Sequence, residues 1–400
     1  MSNWEWKKLG DVAQIYNGNS INAKVKKDKY SNIDDGYPFI ATKDVGFDSV
    51  VDYDNGIKIP FSEKGFKIAP KNAVLICAEG GSAGRKKCLL EEDVCFGNKL
   101  FAIVGDEKYI CGKYIFYYTF EDSFLKEFKK LLAGIIGGIS NKKFKEILIP
   151  IPPLAEQKRI VKTLDEKFAK IDKLKTAAET NLKNTREIYN AELEKIFLKN
   201  AVWNTVRLSD VCAVGSSKRI YAEEQTLTGI PFLRVSDLVE KMQGIEKNDL
   251  YISKEKFEDL KEKGLVPREN DILVTSRGTL GLCYIVKEND NFYFQDGMIT
   301  WLAPNGKTNS KFIVYLFESK IVKEQIKDKS AGAAVSYISI TDIRNFQIPL
   351  PPLSEQKRIV AHLDKLSEKV KRLEEIYRRT IADCEELKKS ILKQVFEVET

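Results

Sequence analysis

The stretch PPLAEQKRIVKTLD at residues 152–165 returns as PPLSEQKRIVAHLD at residues 351–364, and eleven of the fourteen positions are identical. The two copies are separated by 199 residues, which is half of the 400-residue chain. Trp4 recurs as Trp203 at the same offset. The chain therefore reads as one half-unit written twice in tandem, and we expect it to present two similar surfaces.

The duplication extends beyond this motif. Residues 74–76 and the glycine stretch at 80–84 are echoed by residues 272–274 and 278–281. Other segments have diverged between the halves: 17–36, 42–66 and 85–97 share little with 215–229, 234–262 and 282–293. A repeated scaffold is thus predicted to carry two different sets of surface segments.

Composition restricts the class of protein. A chain of 400 residues with 43% hydrophobic and 31% charged residues suits a soluble protein of two or more domains. No apolar run approaches the roughly 20 residues of a membrane span, and residues 1–8 are unlike a signal peptide, so we expect a cytoplasmic protein without a membrane partner. Seven cysteines without a CxxC pair favour reduced thiols over disulfides or a zinc site.

Each half divides into two parts. Residues 1–150 and 203–349 form the first kind, in which β-branched and aromatic runs alternate with turn residues, as is typical of an α+β globule. Residues 151–202 and 350–400 are predicted to be long helices that begin after paired prolines. Within the first globule we predict strands near 9–16, 37–43, 73–79 and 98–104, and a helix over 113–132.

Apolar residues recur every three or four positions along both long helices, as at Ile160, Leu164 and Phe168. Such a stripe must be buried, and the nearest equally apolar stripe is on the other helix. We therefore predict an α+β fold with two similar globular domains joined by two long antiparallel coiled-coil helices, related by a pseudo-two-fold internal repeat. The alternative is that each helix packs only on its own globule.

The sequence offers little for catalysis. His362 is the single histidine of the chain, which argues against histidine-based metal sites and against Ser-His or Cys-His nucleophiles. The glycine stretch at 80–84 lacks the spacing of a phosphate-binding loop, so a structural turn is favoured over nucleotide binding. ExK triplets at 5–7 and 127–129 are expected by chance in so charged a chain. We expect no enzymatic activity and no cofactor.

The divergent segments instead carry basic and amide side chains at matched places in the two halves. Lysine and arginine neutralise phosphates, and Arg, Gln, Ser and Thr can reach base edges in the major groove. For any one of these residues a solvated surface role is the alternative. The DNA-binding candidates are Lys24, Lys26, Lys27, Lys43, Arg85, Lys86 and Lys99 in the first half, and Ser217, Lys218, Arg219, Arg234, Ser236, Arg277, Thr279 and Gln295 in the second.

The repeated Pro-Pro-Leu-x-Glu-Gln-Lys-Arg-Ile signature, each time after a globule and before a long helix, resembles the DNA-specificity (S) subunit of type I restriction-modification systems. The resemblance implies two target-recognition domains, each reading one half of a bipartite asymmetric sequence in double-stranded DNA. It also implies that the helix pair sets the spacer and docks two methyltransferase subunits, with motor-endonuclease subunits joining for cleavage. The partner-binding candidates at the helix starts are Glu156, Gln157, Arg159, Glu355, Gln356 and Arg358.

Two other functions remain open on the sequence alone. One is a coiled-coil adaptor that binds only proteins, and the other is an enzyme with a degenerate nuclease site. The glycine-rich element before the helices is also uneven, since residues 137–141 read Gly-Gly-Ile-Ser-Asn and residues 335–339 read Val-Ser-Tyr-Ile-Ser.

Overall fold

The computed structural model describes residues 4–31, 33–133, 137–198, 203–330 and 336–396. The chain divides into two units, Met1–Ala178 with Arg379–Thr400, and Glu179–Arg378. The predicted helix end at 202 and the last residues to 400 lie outside the described residues. Each unit therefore contains one globule together with a stretch of each long helix.

The first globule contains two four-stranded sheets and a two-stranded one. The strand orders are β2-β9-β6-β7, β4-β3-β8-β5 and β1-β10. The strands are β1 (Glu5–Lys8), β2 (Ala13–Asn17), β3 (Tyr37–Ile40), β4 (Lys58–Ile59), β5 (Ile68–Ala69), β6 (Val74–Cys77), β7 (Lys87–Leu89), β8 (Val94–Phe96), β9 (Leu100–Gly105) and β10 (Leu148–Ile151). The helices are α1 (Leu9–Val12), α2 (Ala23–Tyr30), α3 (Gly112–Tyr118), α4 (Asp122–Leu131), α5 (Asn141–Lys145) and the long α6 (Leu154–Leu198).

The second globule repeats two sheets of the first and rearranges the third. Its orders are β12-β19-β16-β17, β13-β15-β14-β18 and β11-β20. The strands are β11 (Asn204–Arg207), β12 (Cys212–Gly215), β13 (Gln225–Thr226), β14 (Ile230–Leu233), β15 (Tyr251–Ile252), β16 (Ile272–Thr275), β17 (Cys283–Ile285), β18 (Tyr293–Phe294), β19 (Ile299–Pro304) and β20 (Gln347–Leu350). The helices are α7 (Val235–Met242), α8 (Lys254–Glu262), α9 (Ser310–Glu318), α10 (Lys320–Ser330), α11 (Ile340–Arg344) and the long α12 (Leu353–Phe396).

Two predictions for the first globule are wrong in detail. The predicted strand at 9–16 begins only at Ala13, because Leu9–Val12 forms a helical turn. The predicted helix over 113–132 is two helices, because Glu121 leaves the helical conformation and its side chain caps the amide of Ser123 at the start of α4. A glutamate that satisfies a free helix amide ends one helix and begins the next.

The antiparallel pairing of α6 with α12 is confirmed in each unit. In the first unit Lys175 of α6 lies 2.5 Å from Glu385 of α12, and Asp172 pairs with Lys388. In the second unit Arg186 of α6 lies 2.7 Å from Glu374, and Glu192 lies 3.0 Å from His362. Partners later in α6 are earlier in α12, as antiparallel helices require.

The helices also pack on the globules, so the two alternatives for their stripe are both partly right. In the first unit, Ile160 and Leu164 near the start of α6 share one core with Phe396 at the end of α12. Phe396 packs edge-on against Tyr114 at 5.4 Å between ring centroids. In the second unit Phe197, at the end of α6, packs on Phe312 at 5.6 Å. Each globule therefore buries the start of one long helix and the end of the other.

A buried glutamine fixes the start of each long helix. Gln157 is fully buried: its Oε1 accepts from the amide of Cys111 at 3.1 Å, and its Nε2 donates to the carbonyls of Tyr109 and Pro152 at 2.8 and 2.9 Å. An aspartate two turns on adds a second link, since Asp165 accepts from Lys113 at 2.8 Å. These bonds tie α6 to the loop that precedes α3.

Gln356 makes the same connection in the second unit. It is fully buried, its Oε1 accepts from the amide of Asn309 at 2.9 Å, and its Nε2 donates to the carbonyls of Lys307 and Pro351 at 3.2 and 2.9 Å. Asp364 accepts from Lys311 at 2.8 Å, as Asp165 does from its lysine. The prediction that Gln157 and Gln356 bind a partner protein is therefore wrong, because a side chain without exposed surface is an internal anchor.

Lys87 is a buried lysine in the first unit. Its ammonium donates to the carbonyl of Thr119 just after the end of α3 and lies 4.2 Å from the ring centroid of Phe120. Burial lowers the pKa of Lys87 from 10.5 to about 7. In the unfolded chain the Lys87 ammonium keeps its proton up to a higher pH than in the folded protein. The contribution of Lys87 to the free energy of unfolding therefore rises with pH between about 7 and 10.5 and is lowest below pH 7.

The first prediction concerns the anchor. Gln157→Leu leaves a buried amide and two carbonyls without partners, so it should lower the free energy of unfolding by about 3 kcal/mol. The exposed neighbour Lys158 supplies the control, because Lys158→Gln should change this free energy by less than about 0.5 kcal/mol. Urea unfolding of both variants gives the comparison. Equal midpoints for the two variants would show that the glutamine does not anchor the helix.

The second prediction concerns Lys87. From pH 7 to pH 9 the wild type should gain about 2 kcal/mol more unfolding free energy than Lys87→Met, because methionine has no proton to release. Lys126→Met, on the exposed face of α4, is the control and should follow the wild type. Denaturant unfolding at the two pH values measures the difference. Parallel pH profiles for wild type and Lys87→Met would contradict a lowered pKa.

Candidate nucleic-acid interface

Four of the predicted basic residues of the first unit surround a short 3-10 helix at Thr42–Asp44. Lys43 lies 3.7 Å from the buried carboxylate of Asp44. Lys86 donates to the carbonyl of Thr42 at 3.0 Å. Partial burial lowers the pKa of Lys26, against the opposing effect of Asp44. The structure therefore brings Lys26, Lys43, Arg85 and Lys86 into one basic group.

An exposed aromatic ring lies within this basic group, and the sequence analysis missed it. Phe47 is 60% exposed. The guanidinium of Arg85 lies 4.9 Å from its ring centroid, and the ammonium of Lys86 lies 5.1 Å from it. Such contacts are cation–π interactions. The only sequence signal was an aromatic residue in a divergent segment, Gly46-Phe47-Asp48-Ser49, which reads as a turn.

The other three candidates of the first unit lie outside this group. Lys24 and Lys27 are exposed on α2, next to Lys26. Lys99 precedes β9 and its ammonium lies 3.3 Å from the carboxylate of Glu79. Both side chains of that pair are largely exposed, so the attraction between them is weak.

In the second unit, the segment before Ile220 lies against the end of β18. Ser217 is 9% exposed and its hydroxyl donates to the carbonyl of Phe294 at 2.7 Å. The neighbouring Ser216 hydroxyl accepts from the amide of Gly297 at 3.0 Å. The assignment of Ser217 to DNA contact is revised for this reason: its hydroxyl fastens a loop to the sheet.

The neighbours of Ser217 are placed on the surface of the same loop. Lys218 and Arg219 are exposed, and Arg219 donates to Asp296 at 2.9 Å. Gln295 is half-buried, and its backbone N–H donates to the carbonyl of Leu233 at 2.9 Å. The structure thus brings Lys218, Arg219 and Gln295 together around residues 293–297.

Arg234 is held by a carboxylate. Its Nε and Nη2 donate to the two oxygens of Asp237 at 2.9 and 3.0 Å, and Asp249 lies 3.5 Å away. Burial would raise the pKa of Asp237, but hydrogen bonds from the side chain and backbone of Arg234 outweigh it and hold the pKa below its ordinary value. The carboxylate stays ionised and compensates Arg234. Ser236 is exposed beside this pair.

Arg277 and Thr279 lie on a glycine turn that follows β16. Gly278 has a φ of +75° and Gly281 a φ of +78°, which are left-handed conformations that favour glycine. The Arg277 side chain is exposed, and its Nη1 lies 3.6 Å from the sulfur of Met298. Thr279 is exposed too, while its carbonyl accepts from the hydroxyl of Thr275 at 2.5 Å.

The remaining partner-binding candidates form one exposed ion pair in each unit. Arg159 donates to Glu156 at 2.7 and 2.6 Å through Nε and Nη2. Arg358 donates to Glu355 at 2.9 and 2.6 Å in the same geometry. These pairs leave one side of each first helical turn charged and exposed, opposite the side that the buried glutamines occupy.

Two other features, a metal-holding group and a membrane-spanning helix, are absent from the described residues. Among these residues there is no group of three or more His, Cys, Asp or Glu side chains placed to hold a metal ion. None of the described helices is both long and apolar enough to cross a membrane.

Comparison with known proteins gives a consistent result. The family model of the type I restriction modification DNA specificity domain matches residues 1–184 and 200–378. A putative type I restriction enzyme specificity subunit of Haemophilus influenzae is 28% identical over 371 residues, which cover 90% of this chain and 87% of the relative. The EcoBI specificity subunit of Escherichia coli is 25% identical, over 97% of this chain and 84% of the relative.

Solved structures show the same fold. A chain from a study of complex assembly in the type I restriction-modification system has a TM-score of 0.77 at 18% identity, covering 99% of this chain and 98% of that one. The HsdS subunit from Thermoanaerobacter tengcongensis has a TM-score of 0.59 at 19% identity, covering 99% and 97%.

The third prediction concerns Arg277. If its guanidinium faces guanine O6 and N7 of a DNA duplex, Arg277→Ala should cost about 1 to 3 kcal/mol of discrimination at one base pair. Binding of the chain at low salt to duplexes with single base-pair changes tests this. Lys254→Ala, which removes an exposed charge from α8, is the control. An equal loss of affinity for all duplexes would identify a phosphate contact instead.

Proposed function

The chain belongs to the type I restriction modification DNA specificity domain family, and on this basis we propose that it reads a bipartite asymmetric target in double-stranded DNA. As a specificity subunit it is a non-catalytic component of the restriction-modification complex. In this proposal residues 1–150 and 203–349 are the two target-recognition domains, and residues 151–202 and 350–400 are the helical linkers. A cytoplasmic location, with access to DNA, belongs to the same proposal.

One observation carries the proposal of two separate readers. The sheets β2-β9-β6-β7 and β12-β19-β16-β17 have the same strand order, while the side chains on the loops beside them differ. A common scaffold with unlike loop residues suits recognition of two unlike sequences. If the two domains contacted only phosphates, the same charges would serve in both, because phosphate contacts carry no sequence information.

The basic residues supply the phosphate contacts in this proposal. Lys24, Lys26, Lys27, Lys43, Arg85 and Lys86 lie on α2 or around the 3-10 helix at Thr42–Asp44 in the first domain. Lys218 and Arg219 hold the corresponding role in the second. Such contacts fix the protein on the duplex and make binding fall with rising salt.

The helix pair is proposed to set the spacer between the half-sites. Ion pairs hold α6 against α12 in each unit: Lys175 pairs with Glu385 in the first, and Arg186 pairs with Glu374 in the second. Two helices locked in register change length only when both are extended, which is the property a spacer needs.

The same helices are proposed to dock two methyltransferase subunits, with motor-endonuclease subunits joining the complex. Leu174 and Leu387 in the first unit are 54% and 50% exposed, and Ile188 and Leu373 in the second are 63% and 40% exposed. Apolar side chains left on a helix surface suit a protein partner. The charged pairs Glu156–Arg159 and Glu355–Arg358 are proposed as the rims of these docking surfaces.

The fourth prediction tests the spacer. Inserting four residues after Leu182 in α6 and four after Arg378 in α12, the two helices that pair in the second unit, lengthens both helices by about 6 Å. At 3.4 Å per base step this is close to two base pairs. Both half-site sequences should stay the same while the unread spacer grows by about two base pairs. Methylome sequencing of cells that express the variant with its methyltransferase reads out the result.

A single insertion in α6 is the matched control. It shifts Arg186 away from Glu374, so it should reduce methylation instead of moving the target. An unchanged spacer with the double insertion would refute the proposal that the helices measure distance. Altered half-site sequences would show that the helices take part in base recognition.

A further inference from the structure

Glu79 in the first unit and Arg277 in the second occupy the same position of the repeated scaffold. Each lies in the segment that leaves the central strand of the repeated sheet, β6 or β16. Each forms an isolated antiparallel bridge, Glu79 with Gly138 and Arg277 with Tyr337. The two bridges are equivalent because both belong to the element that precedes α5 or α11.

The hydrogen bonds around the two positions match one by one. The backbone N–H of the residue before Glu79 or Arg277 donates to the carbonyl of the residue before β9 or β19. The backbone N–H of the residue after it donates to a carbonyl in the segment that precedes α5 or α11. The matched pairs are Ala78 to Lys99 at 2.9 Å and Ser276 to Met298 at 2.9 Å, then Gly80 to Gly137 at 2.8 Å and Gly278 to Ser336 at 3.1 Å. The turns close alike, with Gly84 to Cys77 at 2.9 Å and Gly281 to Thr275 at 2.8 Å.

The side chains at this position have opposite hydrogen-bonding character. Glu79 offers only acceptors, and its carboxylate lies 3.3 Å from the ammonium of Lys99. Arg277 offers only donors, and its nearest described side-chain contact is the sulfur of Met298 at 3.6 Å. Lys99 and Met298 are themselves equivalent, so both members of the contact change between the two domains.

The fold does not need these side chains. The Glu79 and Lys99 side chains are 43% and 63% exposed, so their ion pair adds little to stability. Backbone hydrogen bonds and left-handed glycines, Gly80 at a φ of +78° and Gly278 at +75°, hold both turns in place. Exposed side chains of opposite character on one rigid backbone position are suited to selecting different ligands.

We propose that this position reads a base in each half-site, and that Glu79 is the specificity-determining residue of the first domain at this position. Glu79 accepts a hydrogen bond from the exocyclic N4 amine of cytosine, whereas Arg277 donates to guanine. A carboxylate facing phosphates would be repelled, so a glutamate on a DNA-facing turn is useful only toward an amine. The proposal rests on the proposed function and deepens it, because it assigns the base that the first domain recognises.

The test is carried out on the complex of the full chain with its methyltransferase. In Glu79→Ala, discrimination for cytosine at one base pair of one half-site should fall about 5- to 150-fold. Glu79→Gln keeps the size of the side chain, and because an amide pairs with adenine N6 and N7, the preferred base there should change from cytosine to adenine. The other half-site should be unchanged in both variants.

The readouts are the methylated motif in cells and competition binding with duplexes changed at single base pairs. Glu127→Ala, which removes a carboxylate from α4, is the control and should leave both half-sites unchanged. If the wild-type complex methylates a bipartite target but Glu79→Gln keeps both half-sites unchanged, this proposal is overturned. So is it if affinity changes equally for all duplexes. A wild-type complex without a bipartite target would instead contradict the proposed function itself.

Discussion

The architecture depends on a buried amide at the start of each long helix. Gln157 and Gln356 have no exposed surface, and they connect the first helical turn to a loop of the preceding globule through two hydrogen bonds from Gln157 and three from Gln356. A buried amide left unpaired costs more than a paired one contributes, so this geometry is specific. It gives each long helix one defined starting direction on its globule.

The ends of the helices are fixed by packing instead of hydrogen bonds. Phe197 and Phe396 lie at the ends of the two helices and are nearly fully buried. Phe396 packs against Tyr114 of α3, and Phe197 packs against Phe312 of α9. Each unit thus holds one helix start by polar bonds and one helix end by apolar burial. Such an arrangement constrains the backbone without using the segments 17–36, 42–66 and 85–97 or 215–229, 234–262 and 282–293, in which the two halves of the sequence differ.

Much of this fold could be predicted from the sequence. The apolar stripe indicates which side of each long helix is buried, and the long repeat indicates two similar globules. The repeated motif is harder to interpret, since Glu156, Gln157 and Arg159 are all polar and only the structure separates the buried amide from the exposed ion pair. A polar residue within a repeated motif can contact a partner protein or be buried in the protein interior, and the residue type alone does not distinguish the two. Ser217 is a similar case, while the β14-containing sheet differs from its counterpart because divergent segments supply its edge strands.

Candidate site residues are the least predictable part, because their chemistry depends on neighbours distant in sequence. A single glutamate gives no sequence signal of base recognition. The matched hydrogen bonds of the two turns nevertheless show that Glu79 occupies the position of Arg277. The aligned segments 74–80 and 272–278 already place Glu79 opposite Arg277, and the structure adds that the backbones of the two turns make the same hydrogen bonds. The one-residue length difference falls after this position, with three residues between Gly80 and Gly84 and two between Gly278 and Gly281.

Several charges of the candidate surface are compensated within the protein. Lys43, Arg219 and Arg234 each have a carboxylate within 4 Å, supplied by Asp44, Asp296 and Asp237 in turn. Binding a phosphate at such a place exchanges one ionic partner for another, so the net gain is smaller than for an isolated cation. With a net charge of only +7 over 400 residues, the phosphate term that supports indiscriminate binding is modest. In the proposed function, discrimination then has to come from side chains whose hydrogen-bonding groups reach base edges, because phosphate contacts carry no sequence information.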